Sequence, residues 1–302
     1  MGSQEVNYLI LAVGSAVFFA MANVLDKYLI SGWSMKPVTF AVIVAVLESF
    51  VLILIPLRGL TLPSIGLILL AFLIGLIFVV GVITYAKAMS FEEASRVVPL
   101  QEVIPIFVLI LSFFVLHETI SSREVLGVSL LVAGALIIST RRVEGVLRLS
   151  RALYFMLLTG FLIAVSTVLS KFLYSNIAVL DGFLWVKIGS LLAGLAFLFV
   201  PNFRSEAVAT WQSLSFRTRG VFFLNEFITV VALVMYAVAL SLGPSPVVSA
   251  LNGFQPFFLF LFVIILSTRF PKILKEEVSA SIIATKSAAL MLMFAGLWLV
   301  HV

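Results

Sequence analysis

Four ionisable side chains lie deep inside long apolar runs of this 302-residue chain. Glu48 is about twelve residues into the run 36–57, Glu226 about ten into 216–242 beside Asn225, and Lys187 about seven into 180–200. Glu102 follows Gln101 in 95–116. A charge held among apolar neighbours at such depth is costly, so it faces a cavity or an opposite charge. Two chemistries follow. Glu48 or Glu226 can take a substrate ammonium or a proton. Alternatively, one of them pairs with Lys187 and ties helices together. Gln101 and Asn252 each stand a turn before a proline, Pro105 and Pro256. Proline removes a backbone donor and frees the carbonyl one turn earlier. An amide beside a freed carbonyl can bind a zwitterion or bridge two helices, and the weakened turn suits a hinge. Tyr85 and Tyr236 offer an aromatic wall with a hydroxyl, or interfacial anchors. Asn23 and Trp185 complete the candidate set. Lys27 and Lys171, near span ends, are expected to snorkel to the interface.

Enzyme chemistry has no foothold in the sequence. There is no cysteine, and His117 and His301 are too few for a histidine-rich metal centre. His117 stands alone at a loop with no recognisable nucleophile–histidine–acid pattern around it, and no glycine-rich loop could cradle phosphate. Neither a metal nor a cofactor is expected. If transport is coupled, a proton is the expected coupling ion.

The elements that must position these residues follow from composition. Hydrophobic residues make up 63% of the chain and charged ones 11%, against about 25% charged in an ordinary soluble domain. The mean hydropathy is +1.25. Only a bilayer suits such a surface, and within it backbone polar groups must be satisfied by helices or a closed barrel. Runs of about 20 apolar residues decide for helices. The pattern predicts ten spans: 8–30, 36–57, 62–90, 95–116, 122–140, 151–174, 180–200, 216–242, 244–267 and 279–301. Residues 201–220 read as a polar connection with Trp211 as an interfacial anchor. The net charge of +5 fits basic loops on one membrane face and does not imply nucleic acid.

The chain also repeats itself. Val24-Leu25-Asp26-Lys27-Tyr28-Leu29 closes span one, and Val168-Leu169-Ser170-Lys171-Phe172-Leu173 closes span six. At a constant offset of 151, Tyr85 meets Tyr236, Gln101 meets Asn252, and Pro105 meets Pro256. A small-residue helix comes late in each half, around Gly127–Gly134 and Ser287–Gly296. Ser129, Ala133 and these glycines suit close packing within the chain or in a homodimer. The expected fold is an all-α polytopic membrane protein of ten transmembrane helices, arranged as two inverted five-helix repeats, 1–142 and 143–302. An odd number of spans per half inverts the second copy, and such architectures hold their site near the midplane. Basic residues crowd one face, with Arg141, Arg142, Arg148 and Arg151 in its linker, while Arg58 and Arg123 lie on the face that carries both termini. The positive-inside rule then puts the termini outside.

The segment Ala88-x-Ser90, Ala94-Ser95-x-Val97-x-Pro99-Leu100-x-x-x-x-Pro105-Ile106-Phe107, His117-Glu118-Thr119-Ile120, Gly127 and Ala133-Gly134 resembles the repeat of the drug/metabolite transporter superfamily, in its EamA-type ten-helix permeases. A weaker second copy runs from Ala239 through Gly243-Pro244 to Pro256, with Arg269 where the first half has Glu118. The resemblance implies a carrier that works by alternating access, with a central cavity between the repeats, in the cell's inner or plasma membrane. It also implies termini in the cytoplasm, opposite to the charge bias. The expected function is export or exchange of a small polar metabolite, an amino acid or amine-bearing compound. The alternatives are a carrier of phosphorylated or nucleotide-linked anions using Lys87, Lys187 or Lys171, and a non-transporting membrane scaffold or lipid enzyme.

Overall fold

The computed structural model describes residues 3–32, 35–91, 97–118, 121–139, 151–259, 261–262, 288–289, 291–296 and 298–299. The boundary expected at 142/143 lies outside them. Every regular element among the described residues is helical. Helix α1 is Ser3–Gly32, α2 Pro37–Glu48, α3 Leu54–Arg58 and α4 Ile65–Phe91. Helix α5 is Ile104–Val115, α6 Ser122–Ser139, α7 Arg151–Asn176 and α8 Val179–Phe197. Helix α9 is Pro201–Ser213, α10 Phe216–Leu242 and α11 Ser245–Leu251. Among the described residues, six segments are long and apolar enough to cross a membrane: Asn7–Ile30, Pro37–Arg58, α4, α7, α8 and α10. At 27 residues, α4 and α10 reach about 40 Å, more than the roughly 30 Å hydrocarbon layer. Large apolar side chains stay on the outside, with Phe114 70%, Trp298 68% and Leu69 60% exposed. In water such a surface would aggregate; facing lipid it is in its own solvent. The chain is an integral, multi-pass membrane protein.

Three of the spans expected from the sequence are broken where the sequence weakens them. The second runs as α2, a 3₁₀ stretch Ser49–Ile53, and α3. Pro56 lies in α3. It has no amide hydrogen to offer the Leu52 carbonyl and its ring crowds that carbonyl, so the preceding turns tighten. The fourth span opens with a 3₁₀ turn Val98–Val103 before α5, and the ninth interposes Asn252–Phe254 after α11 before helix resumes at 255–259. Pro105 and Pro256 thus stand at the start of the resumed helix, where a missing donor does least harm. Gln101 and Asn252 lie within the 3₁₀ turns themselves.

One expected connection is a helix. Residues 201–213 form α9, started by Pro201 at its first position. It lies against α2, held by the Lys36–Glu206 ion pair. Trp211, expected as an interfacial anchor, packs on Phe222 of α10 at 6.4 Å between ring centroids and stacks under Arg219. Ser215 then caps α10, its hydroxyl oxygen accepting from the Thr218 amide at 3.2 Å.

The broadest pairings among described helices are α1 with α10 and α4 with α7, with α2 against α8 between them. The small-residue face of α6 is taken within the chain. A Cβ on Gly134 would strike the Ala289 carbonyl at 2.7 Å, and one on Gly296 the Gly127 carbonyl at 2.6 Å. Close approach through glycine is the usual contact between helices in lipid. Arg58 is also engaged, in a 2.7 Å pair with Asp181 at the start of α8.

Candidate functional site

Where α1, α2, α4, α7, α8 and α10 converge, they enclose a cavity of about 250 Å³. Its wall carries Asn23, Glu48, Tyr85, Gln101, Lys187, Glu226, Tyr236 and Asn252 of the sequence candidates, together with Pro105. Residues far apart in sequence thus share one chamber. Its apolar parts combine the rings of Phe19, Phe40, Phe78 and Phe183 with aliphatic side chains such as Val44, Ile163 and Leu233.

The charged part forms from four helices. Lys187 Nζ lies 2.5 Å from Glu48 Oε2, and both residues are almost fully buried, at 3% and 1% exposure. The ammonium also sits over the Phe78 and Phe183 rings, at 4.8 and 5.5 Å from their centroids, a favourable place for a cation. Glu48 is the last residue of α2 before the 3₁₀ break. Its second oxygen, Oε1, is buried with no hydrogen-bond partner among the described residues. Glu226, equally buried, accepts from Asn225 Nδ2 at 3.0 Å, and the same nitrogen donates to Asp26 Oδ1 at 2.8 Å.

Asp26 was missed as a site residue. It lies in the repeated helix-closing motif and was read there only as a boundary mark. Its signal was present: Asn23 and Asp26 are three apart, so they share one helix face. The Tyr85 hydroxyl joins them, 3.2 Å from Asn23 Oδ1 and 3.3 Å from Asp26 Oδ2. Asn23 Nδ2 donates onward to Gln255 Oε1 at 3.1 Å. In the second half, Tyr236, Thr167 and Ser249 line the same chamber. The Asn252 Oδ1 atom lies 3.1 Å from the Ser15 hydroxyl on α1.

Two candidates fall elsewhere. Trp185 Nε1 donates to the Thr61 carbonyl at 3.0 Å, fastening the α3–α4 connection. Two residues from Lys187 on a helix is roughly the opposite face, so Trp185 leaves the cavity as Lys187 enters it. Pro256 is buried behind the wall and does not line it. The Glu102 side chain lies outside what the structure describes.

The two lysines expected to snorkel instead cap helix ends. Lys27 Nζ donates to the Met89 carbonyl at 3.0 Å, in the last turn of α4. Lys171 Nζ donates to the Leu240 carbonyl at 2.5 Å and the Gly243 carbonyl at 2.8 Å, past the end of α10. Met89 and Leu240 are again 151 apart. A cation at a helix C-terminus meets orphan carbonyls and the negative end of the dipole. Just beyond, Glu118 accepts from the Ser245 amide at 3.1 Å and lies 3.3 Å from the Ser245 hydroxyl, at the N-terminus of α11. His117 turns the chain toward it with φ 53°, a left-handed residue at a helix end. Together Lys171 and Glu118 clamp both sides of the α10–α11 turn. Lys171→Met should cost about 2 kcal/mol, the worth of hydrogen bonds from a charged donor, and leave ligand-induced stabilisation unchanged. Thermal unfolding with and without ligand checks both.

Comparison with known proteins agrees with this geometry. Twenty-eight chains of solved structures match. One of them, described only as "Crystal structure of protein", aligns with a TM-score of 0.67 at 14% identity, over 97% of this chain and 94% of its own. At that identity the likeness is one of fold. No curated protein sequence matches. The sequence itself matches the EamA-like transporter family over residues 6–140, the helices that bring Asn23, Asp26, Glu48, Tyr85 and Gln101 to the chamber. Over that part of its length the chain is similar to the EamA-like transporter family.

Proposed function

We propose that this protein is a secondary carrier that exports or exchanges a small amine-bearing metabolite, such as an amino acid, with the central chamber as its substrate site. One observation carries the reading: three carboxyl groups and a single lysine face a chamber whose wall also presents aromatic rings. Carboxylates bind an ammonium, and aromatic faces favour cations and an apolar body. Alternating access fits the architecture. The pairings α1–α10 and α4–α7 exchange under the repeat noted in the sequence, as do the contacts of α6 with 289–296. We read them as an inverted repeat of five helices per half, around a site near the midplane. The 3₁₀ breaks at 98–103 and 252–254, next to Pro105 and Pro256, are the flexible points about which the halves rock.

The anion alternative finds little support. Lys87 sits over the Phe91 ring at 5.2 Å, Lys171 caps a helix, and Lys187 is paired with Glu48. The test is a thermal-shift panel on purified protein, setting amino acids and simple amines against sugar phosphates. An amine that binds at a hundred times its Kd adds about 2.7 kcal/mol. Stabilisation by anions alone would overturn the reading. Counterflow of the stabilising amine in proteoliposomes then separates a carrier from a scaffold.

A further inference from the structure

Once Glu48 and Lys187 have neutralised one another, the chamber still holds two carboxyls on one donor. Asp26 Oδ1 and Glu226 Oε1 both hydrogen-bond Asn225 Nδ2. An amide nitrogen has two hydrogens, so Asn225 satisfies one oxygen of each carboxyl and no more. The single hydrogen of the Tyr85 hydroxyl is divided between Asn23 and Asp26. The charged groups facing the pair are Glu48 from α2 and Lys187 from α8; Tyr85 faces it from α4. Among the described residues lining the chamber, Lys187 is the only cation. Two like charges on one shared amide and part of one hydroxyl, with Glu226 buried and Asp26 half-buried inside the helix assembly, need a positive charge with them. An independent feature says that a donor-bearing guest is accommodated. Glu48 Oε1 is buried, unpartnered and on a residue of the chamber wall.

We infer that Asp26 and Glu226, bridged by Asn225, are the coupling pair of this carrier. With the chamber empty they share one exchangeable proton. A substrate ammonium displaces it, and the proton leaves to water, so one positive charge enters as one departs. Glu48 stays with Lys187 throughout and offers Oε1 to the N–H of the guest. The resting proton belongs to the chain itself; only its displacement by an ammonium rests on the amine-carrier reading.

The proton is tested without any ligand, by infrared spectroscopy of the purified full chain. The wild type should show a protonated-carboxyl C=O band at neutral pH that shifts in D2O. The band should vanish in the Asp26→Asn/Glu226→Gln double variant and persist in Glu48→Met/Lys187→Met, which removes the buried pair without freeing a cation. Absence of the band in the wild type from mildly acid to mildly alkaline pH overturns the proposal, as does a band kept in the Asp26→Asn/Glu226→Gln variant or lost in Glu48→Met/Lys187→Met. The exchange is tested by proton release in weakly buffered micelles on adding an amine that stabilises the protein. About one proton per bound amine is expected, and no release overturns the exchange. If no amine stabilises the protein, the carrier reading for amines fails while the infrared result still decides the proton.

Discussion

Lys187→Met should cost the fold about 3–5 kcal/mol, the cost of leaving one partner of a buried ion pair alone. The variant should melt far below the wild type or fail to remain monodisperse in detergent. The reason lies in what Glu48 has left. Its Oε2 bonds Lys187, and its Oε1 already has no partner. Without the ammonium a carboxylate 1% exposed would face two aromatic rings and no donor. The double variant Glu48→Met/Lys187→Met removes both charges at similar volume and should recover much of the loss, since apolar replacements of buried pairs are often neutral or better. By the same argument Glu48→Gln strands the ammonium and should lower stability along with transport. Asp26→Asn and Glu226→Gln keep their shape and strand no cation, so they should remain within about 1 kcal/mol of the wild type. A Lys187→Met protein that melts like the wild type would show that the pair holds nothing together, and would return Glu48 to the candidates for coupling.

The broad architecture was readable in the sequence because in a bilayer composition and length leave few choices. Runs of about twenty apolar residues must be helices, and the helices lie close to where those runs do. The chamber was readable for a related reason: groups that are costly among apolar side chains must face something other than lipid. Glu48, Lys187 and Glu226 were found that way. What escaped was governed by geometry that depth does not encode. Asp26 sits near a helix end, where a charge is cheap, so position gave no reason to place it with Glu226. Only the partner helix α10, which brings Asn225 opposite, makes it a site residue. Lys27 and Lys171 were misassigned by the same rule. Near a helix end the headgroups are one destination for an ammonium, and the end of a neighbouring helix is another. The sequence has no means of choosing until α4 and α10 are docked. Trp185 failed because an aromatic near a charge in sequence is not near it on a helix. Helix α9 was missed because its polar composition resembles a loop, although Pro201 and the absence of any later glycine or proline before Ser215 permitted a helix.

Gly75→Ala and Gly189→Ala should each destabilise the protein by about 1–3 kcal/mol, the usual effect of an added methyl in a packed core, and toward the upper end. Both residues sit where α4 crosses α8. A Cβ on Gly75 would stand 2.4 Å from the Ser190 nitrogen, 2.6 Å from the Gly189 carbonyl carbon and 2.7 Å from the Val186 carbonyl oxygen. One on Gly189 would stand 2.6 Å from Phe72 Cα and 3.0 Å from the Ala71 oxygen. These are backbone atoms, and no rotamer change relieves the clash. The helices must separate along their whole contact. Gly14 is the control: its Cβ would meet Met235 Cε at 2.4 Å, the end of a flexible side chain that can swing away. Gly14→Ala should therefore cost well under either of the other two. The crossing also carries the ion pair. Phe78, whose ring faces the Lys187 ammonium, is one turn along α4 from Gly75, and Lys187 is two residues from Gly189. Parting α4 from α8 draws that ring away from the cation and shifts Lys187 relative to Glu48 on α2. Gly75→Ala should consequently weaken stabilisation by the bound ligand as well as lower the melting temperature, whereas a purely steric role for the crossing predicts the second change without the first.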